Sequence, residues 1–145
     1  MGTRSVIGVM EGDVCKAVYC NWDGYFAHNG EILNRFYNDV AKATQLVSMG
    51  HISSLGVEIG QQHDFNADVG DHESGFNAQC TFYNRDRGEE YSVQTLTNWE
   101  DFTEYFLNGC GGEYAYIMKD GVWYTCTDRD LTLRVLAAEL ELTTA

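Results

Sequence analysis

The stretch AYIMKDGVWYTC, Ala115 to Cys126, decides the fold. Two apolar and aromatic runs, Ala115 to Lys119 and Val122 to Cys126, flank the pair Asp120-Gly121. An Asp-Gly pair between such runs is the strongest short-range signal for a two-residue hairpin, because both turn positions take positive φ. Two more hairpins are expected by the same reasoning. Ser5 to Met10 and Val14 to Trp22 flank the turn Glu11-Gly12-Asp13, and Phe76 to Tyr83 and Glu90 to Thr97 flank Asn84 to Gly88. The chain has no proline and 15 glycines, so Gly, Asn and Asp must make its turns.

Between the hairpins the apolar period changes. Ile32, Leu33, Phe36, Tyr37, Val40, Ala41, Leu46 and Val47 fall mostly on one stripe, which predicts a helix from Glu31 to about Met49 with Gly50 as its stop. Asn98 reads as the N-cap of a short helix through Trp99, Phe102, Tyr105 and Phe106, with Glu100 and Asp101 in the first turn and Gly109 at the end. A closing helix is expected from about Asp130 to Leu142, capped by Thr127 or Asp128, with an extended reading left open for Leu131 to Val135. Residues 51–75 read as polar loop with a short strand at Leu55 to Ile59. Hairpins alternating with helices give an α+β fold: an antiparallel sheet built from three hairpins with about three helices packed mainly on one face, in a single domain spanning 1–145.

Charge bounds the partners. Twenty-two Asp and Glu stand against 9 Lys and Arg, a formal net of -13. A surface this acidic repels nucleic acid and anionic membrane and attracts basic proteins. At 44% hydrophobic the chain is too apolar to be disordered. No apolar run approaches the roughly 18 residues of a membrane span, and no signal-peptide core opens the chain, which points to the cytosol. Cys15, Cys20, Cys80, Cys110 and Cys126 form no C-x-x-C pair and read as reduced thiols, Cys110 in its glycine loop being the most exposed.

The acids are unevenly spread. No Lys or Arg lies between Lys42 and Arg85, a window holding Glu58, Asp64, Asp68, Asp71 and Glu73. None lies between Arg87 and Lys119, a window holding Glu89, Glu90, Glu100, Asp101, Glu104 and Glu113. Asp64, Asn66 and Asp68 alternate like the start of a calcium loop, but Gly70 falls one place late and Gly75 stands where a bidentate Glu belongs. His63, His72 and Asp68 match no finger-type or helical ligand spacing, so no metal and no cofactor is expected. Ser5, Ser53, Ser54 and Cys110 are the candidate nucleophiles, with His28 and His51 as bases. None sits in a recognisable elbow, and no catalytic residue is assigned.

Two clusters stand out. In Cys20-Asn21-Trp22-Asp23-Gly24-Tyr25-Phe26, aromatic rings, an amide and a carboxylate converge on a glycine turn, either plugging the sheet end or forming a recognition patch. In Tyr83-Asn84-Arg85-Asp86-Arg87-Gly88-Glu89, two arginines interrupt an acidic half of the chain, either for local ion pairing or for an external anion.

With the opening Met1-Gly2-Thr3-Arg4-Ser5, the segment Ser48 to Gly56 and the late hairpin Asp120 to Tyr124, these clusters occur in an order that resembles a set of small bacteriophage proteins. Their shared pattern is MGTRS, C-x-WDGY, S-x-G-x-ISSLG, YxRDRGE and DGxWY. The likeness spans most of the chain, residues 57–80 and the C-terminal tail excepted. It implies a viral setting, where small accessory proteins often interfere with a host enzyme or defence system.

The leading expectation is therefore a stoichiometric inhibitor of a basic host protein that handles nucleic acid, such as a CRISPR effector. Its acids would mimic the DNA charge in the cytoplasm of the infected bacterium. Trp22, Asp23, Tyr25, Phe26, Asp64, Asp68, Asp71, Glu73 and Trp123 are the candidate contacts. An alternative is a sequestering pocket for a small anionic nucleotide signal, with Arg4, Arg85 and Arg87 on phosphate, which a homo-oligomer would help to close. A second alternative is a small hydrolase or transferase.

Overall fold

Strand β1 (Ser5–Glu11) lies between two partners in the sheet, β2 (Val14–Cys20) antiparallel and β6 (Tyr114–Lys119) parallel. The computed structural model describes residues 2–70 and 74–144. Ser5 to Val9 are buried without interruption, as a strand covered on both faces requires. β7 (Val122–Thr127) and β8 (Asp130–Val135) extend the sheet beyond β6. On the other side, the outer edge of β2 is shared. β5 (Gln94–Leu96) pairs with Cys15 to Ala17, while β3 (Ile52–Ser54) meets Cys20 and carries β4 (Thr81–Phe82).

The architecture is thus α+β, with eight strands in one mixed sheet and five α-helices among the described residues. The purely antiparallel sheet expected above is corrected by the β1–β6 and β2–β3 pairings, both parallel. Hairpin logic identifies only partners adjacent in sequence, and β6 reaches β1 from the far end of the chain.

Two of the three expected hairpins form. Glu11 pairs with Val14 across a turn in which Gly12 has φ 64°, and Lys119 pairs with Val122 with Asp120 and Gly121 at 52° and 79°. The middle one does not form. Residues Tyr83–Arg87 wind into a helical turn, α3, closed by Gly88 at φ 73°, and send β4 and β5 to different partners. A different hairpin takes its place, β7–β8, because Asp130 to Val135 are extended and the closing helix α5 spans only Leu136–Thr144.

The long helix is also divided. A π-turn, Phe26–Gly30, runs into α1 (Glu31–Phe36), and α2 (Val40–Ser48) starts afresh. Asp39 accepts from the Ala41 N–H at 2.8 Å and so caps α2. The break turns Tyr37 inward, where its hydroxyl donates to the Gly56 carbonyl at 2.7 Å and its own carbonyl accepts from Trp123 Nε1 at 3.0 Å. The short strand expected at Leu55 to Ile59 is instead at Ile52–Ser54, and beyond it Glu58 makes a single bridge to Gln79.

Both sheet faces are covered. Ile7, Val18, Tyr116, Met118 and Trp123 pack under α1, α2 and α5. Val6, Ala17, Ala115 and Ile117 pack under Phe102 and Phe106, carried by α4 (Trp99–Glu104) and the π-turn Tyr105–Gly109 that continues it. Three helices therefore share one face and a fourth crosses the other. No helix of the described residues is long and apolar enough to cross a membrane.

Candidate functional site

The Cys20 to Phe26 segment is lashed down from beneath. Gly24 N–H donates to the Thr3 carbonyl at 2.8 Å, and the Gly24 carbonyl accepts from Tyr116 Oη at 2.5 Å. A Cβ on Gly24 would lie 2.8 Å from the Ser5 Cβ, so only glycine allows this approach. Asn29 is fully buried, and its amide donates to Ser5 Oγ, Cys20 Sγ and the Trp22 carbonyl at 3.3–3.4 Å. Burial pushes the Cys20 thiol up to about 12, so it is a neutral packing group. This anchoring leaves Trp22 and Tyr25 exposed, at 43% and 39%, while Phe26 turns inward against Tyr114 with ring centroids 5.0 Å apart. Asp23 takes φ 58° and accepts from Tyr25 Oη at 3.3 Å.

Arg85 does not face solvent. Its guanidinium donates to Asp86 and to the carbonyls of Ile59 and Cys80, each of these at 3.0 Å, and lies over the Phe82 ring. The Asp86 carboxylate is completely buried and also accepts from the N–H groups of Phe82 and His63. Burial alone would raise its pKa; Arg85 and the two N–H groups outweigh that and hold it below the usual carboxylate value. Arg87 pairs with Glu89 and covers Phe65 and Tyr83. Ion pairing within the turn therefore accounts for both arginines.

Asp64 and Asp68 lie exposed in the loop, each accepting an N–H two residues on, from Asn66 and Gly70 at 2.9 Å. Asp71, His72 and Glu73 lie outside the described residues, as does Met1 of the opening motif. Trp123, expected as a contact, is corrected: it is 2% exposed in the core, with its ring N–H spent on Tyr37. Cys110 is the one partly exposed cysteine, and the other four are buried.

A hydroxyl stands beside an imidazole at Thr81 and His63, whose Nε2 is 3.1 Å from Thr81 Oγ1. The Asp86 carboxylate lies behind at 3.7 Å, but His63 Nδ1 is engaged more closely by the Gln61 carbonyl at 2.9 Å. Thr81 is 4% exposed. An inaccessible hydroxyl cannot attack a substrate, so this trio fastens the loop.

A different surface combines charge with an apolar anchor. Asn98 Oδ1 accepts from the Asp101 N–H at 2.7 Å, starting α4 so that Phe102 enters the core. Glu100, Asp101 and Glu104 consequently share the exposed side of α4, at spacings of one, three and four residues. Trp99 stacks on Phe102 at 5.4 Å and 12° between planes, yet remains 42% exposed. Beside it opens a cavity of about 210 Å³ lined by Met10, Leu96, Trp99, Phe102, Ile117 and Leu133, with Asp13 and Lys119 on its wall. Trp99 and Leu133 were missed as site residues. The sequence signal was Trp at the first helical position, followed at once by Glu-Asp.

Comparison of the chain with protein-family models, with curated proteins and with solved structures finds no match.

Proposed function

We propose that this chain is a bacteriophage accessory protein that binds and inhibits, stoichiometrically, a basic host protein that handles nucleic acid, as an anti-defence factor in the infected cell's cytoplasm. The observation that carries this reading is the face of α4, where three exposed carboxylates adjoin the half-exposed Trp99 and its apolar cavity. Carboxylates on the rim speed encounter with a basic partner, while an aromatic ring that loses its water on docking supplies most of the affinity. The occupant is a Lys- and Arg-rich segment carrying one apolar side chain for the cavity. Trp22 and Tyr25, exposed on their anchored loop, form a second candidate contact.

The reading is tested with purified host RNA-guided nucleases and other DNA-binding defence effectors, mixed with the protein at low and at high salt. A one-to-one complex that weakens with salt and competes with DNA is expected. Absence of any complex at low salt across that panel would overturn it.

A further inference from the structure

Arg4, unlike Arg85 and Arg87, has a guanidinium with no ion pair or hydrogen bond among the described residues. It lies against the glycine loop that follows the Tyr105–Gly109 turn. A Cβ on Gly111, which has φ 60°, would sit 3.2 Å from Arg4 Nη1. The carbonyls at the end of that turn do not need the arginine, because Tyr105 O and Phe106 O accept from the N–H groups of Cys110 and Gly112 at 2.8 Å.

Next to Arg4 is a cavity of about 320 Å³ lined by Tyr19, His51, Tyr105, Gly109 and Cys110. Gly111, against which the guanidinium lies, follows Cys110, and Arg4 stands two residues before Val6, the partner of Tyr19 in the β1–β2 ladder, so the arginine borders two of the lining residues. Four other surface cavities each carry a carboxylate: Asp13, Asp101 with Glu104, Glu11, and Glu58. This one carries none, in a chain whose net charge is -13.

His51 completes the donor set. Its Nδ1 accepts from the Tyr19 N–H at 3.1 Å, and burial holds its pKa below the usual value, so the ring is neutral and its proton is on Nε2. Nε2–H has no protein acceptor among the described residues. The Tyr105 hydroxyl is buried with no hydrogen bond; its neighbour, the Cys110 thiol, is too weak a partner to satisfy it.

We infer that the cavity between Arg4, His51 and Tyr105 binds the oxyanion head of a small ligand, with the Arg4 guanidinium and His51 Nε2–H as its donors. A guanidinium fork beside a neutral N–H donor suits phosphate and carboxylate alike, and the absence of any carboxylate from the wall removes the repulsion found elsewhere on this surface. The site is separate from the α4 cavity and does not depend on a protein partner.

The test is titration of the full chain with inorganic phosphate, adenosine monophosphate and acetate, read by calorimetry in every variant and from the His51 imidazole resonances wherever His51 is kept. Binding moves those resonances, and the strongest of the three ligands identifies the head. Arg4→Gln should weaken binding about tenfold or more, the loss expected for a charge-assisted hydrogen bond. His51→Asn keeps an acceptor for Tyr19 but removes the Nε2 donor and should weaken it too. Arg129→Gln, at an exposed position elsewhere, should leave it unchanged. No resonance change with any of the three ligands, or equal loss in Arg129→Gln and Arg4→Gln, would overturn the inference.

Discussion

Arg85 holds the carboxylate of its own neighbour, Asp86, in a two-pronged grip, with Nε 2.9 Å from Oδ1 and Nη2 3.1 Å from Oδ2. Here the single turn of α3 points both inward, and the pair becomes the post to which the long 55–80 segment is tied through Ile59, His63 and Cys80. The same carboxylate caps the end of β4 through the Phe82 N–H.

Removing that carboxylate leaves the Arg85 guanidinium, still bonded to the Ile59 and Cys80 carbonyls, without its counter-charge, and the Phe82 and His63 N–H groups without an acceptor. Asp86→Ala should therefore destabilise the fold by about 3 kcal/mol or more, the range for breaking a buried ion pair from one side. Arg87→Ala, on an exposed pair, should cost less than about 1 kcal/mol. Urea unfolding of the two variants measures the contrast, and equal costs would contradict the structural assignment of Arg85.

The same carboxylate sets an acid limit. Its pKa is lower folded than unfolded, so the native state binds fewer protons and Asp86 contributes stability that is full above the unfolded value near 4. That contribution falls away as pH drops below 4 through the folded value. Thermal melts of wild type should decline steeply over that acid window, and Asp86→Asn should show a shallower decline from a lower plateau.

Much of the local structure was legible in the sequence, because turns and caps are decided by a few adjacent residues. Gly12, Asp120-Gly121, Asn98 and Gly50 each do what their chemistry predicts. The sheet order was not legible, since the β1–β6 pairing depends on residues more than a hundred positions apart. The middle hairpin failed for a related reason: Asn84 to Gly88 has turn composition, but the buried Arg85–Asp86 pair is satisfied only when the segment coils. At the sites, Trp22 and Tyr25, which the sequence left between sheet plug and recognition patch, are exposed, whereas Trp123, expected as a contact, is buried. Its place depends on which face of β7 meets α1 and α2, and that follows from the register and not from composition.

The three tryptophans should report this difference. Trp22 and Trp99 are about two-fifths exposed and Trp123 is at 2%. Acrylamide should quench the first two and spare the third. Trp123→Phe removes both the ring bulk and the bond to the Tyr37 carbonyl, and should cost about 2 kcal/mol or more.

Gly56 provides a packing test free of charge. A Cβ there would fall 2.3 Å from the backbone of Gln79, which no side-chain rotation relieves. Gly56→Ala should destabilise by about 3 kcal/mol, because the backbone must shift and Tyr37 and Cys80, both bonded to Gly56, must follow. By contrast, a Cβ on Gly75 meets nothing within 4 Å, so Gly75→Asn, which tolerates the φ of 79°, should cost less than about 1 kcal/mol.

The α4 face separates docking from stability. Glu100 and Asp101 occupy the first turn, where their charge favours the helix N-terminus, so the triple change Glu100→Gln, Asp101→Asn and Glu104→Gln should cost only about 1 kcal/mol of stability. Its effect on a basic partner should be far larger in rate than in residence. Association should slow about tenfold at low salt and lose most of its salt dependence, because the three charges act through long-range attraction. Trp99→Ala should do the reverse, leaving association nearly unchanged while dissociation speeds up by tenfold or more, as loss of a desolvated aromatic anchor requires. Stopped-flow measurements on a complex found in the effector panel distinguish the two. If the acidic variant changed only dissociation, the carboxylates would be direct contacts and not the steering field proposed here.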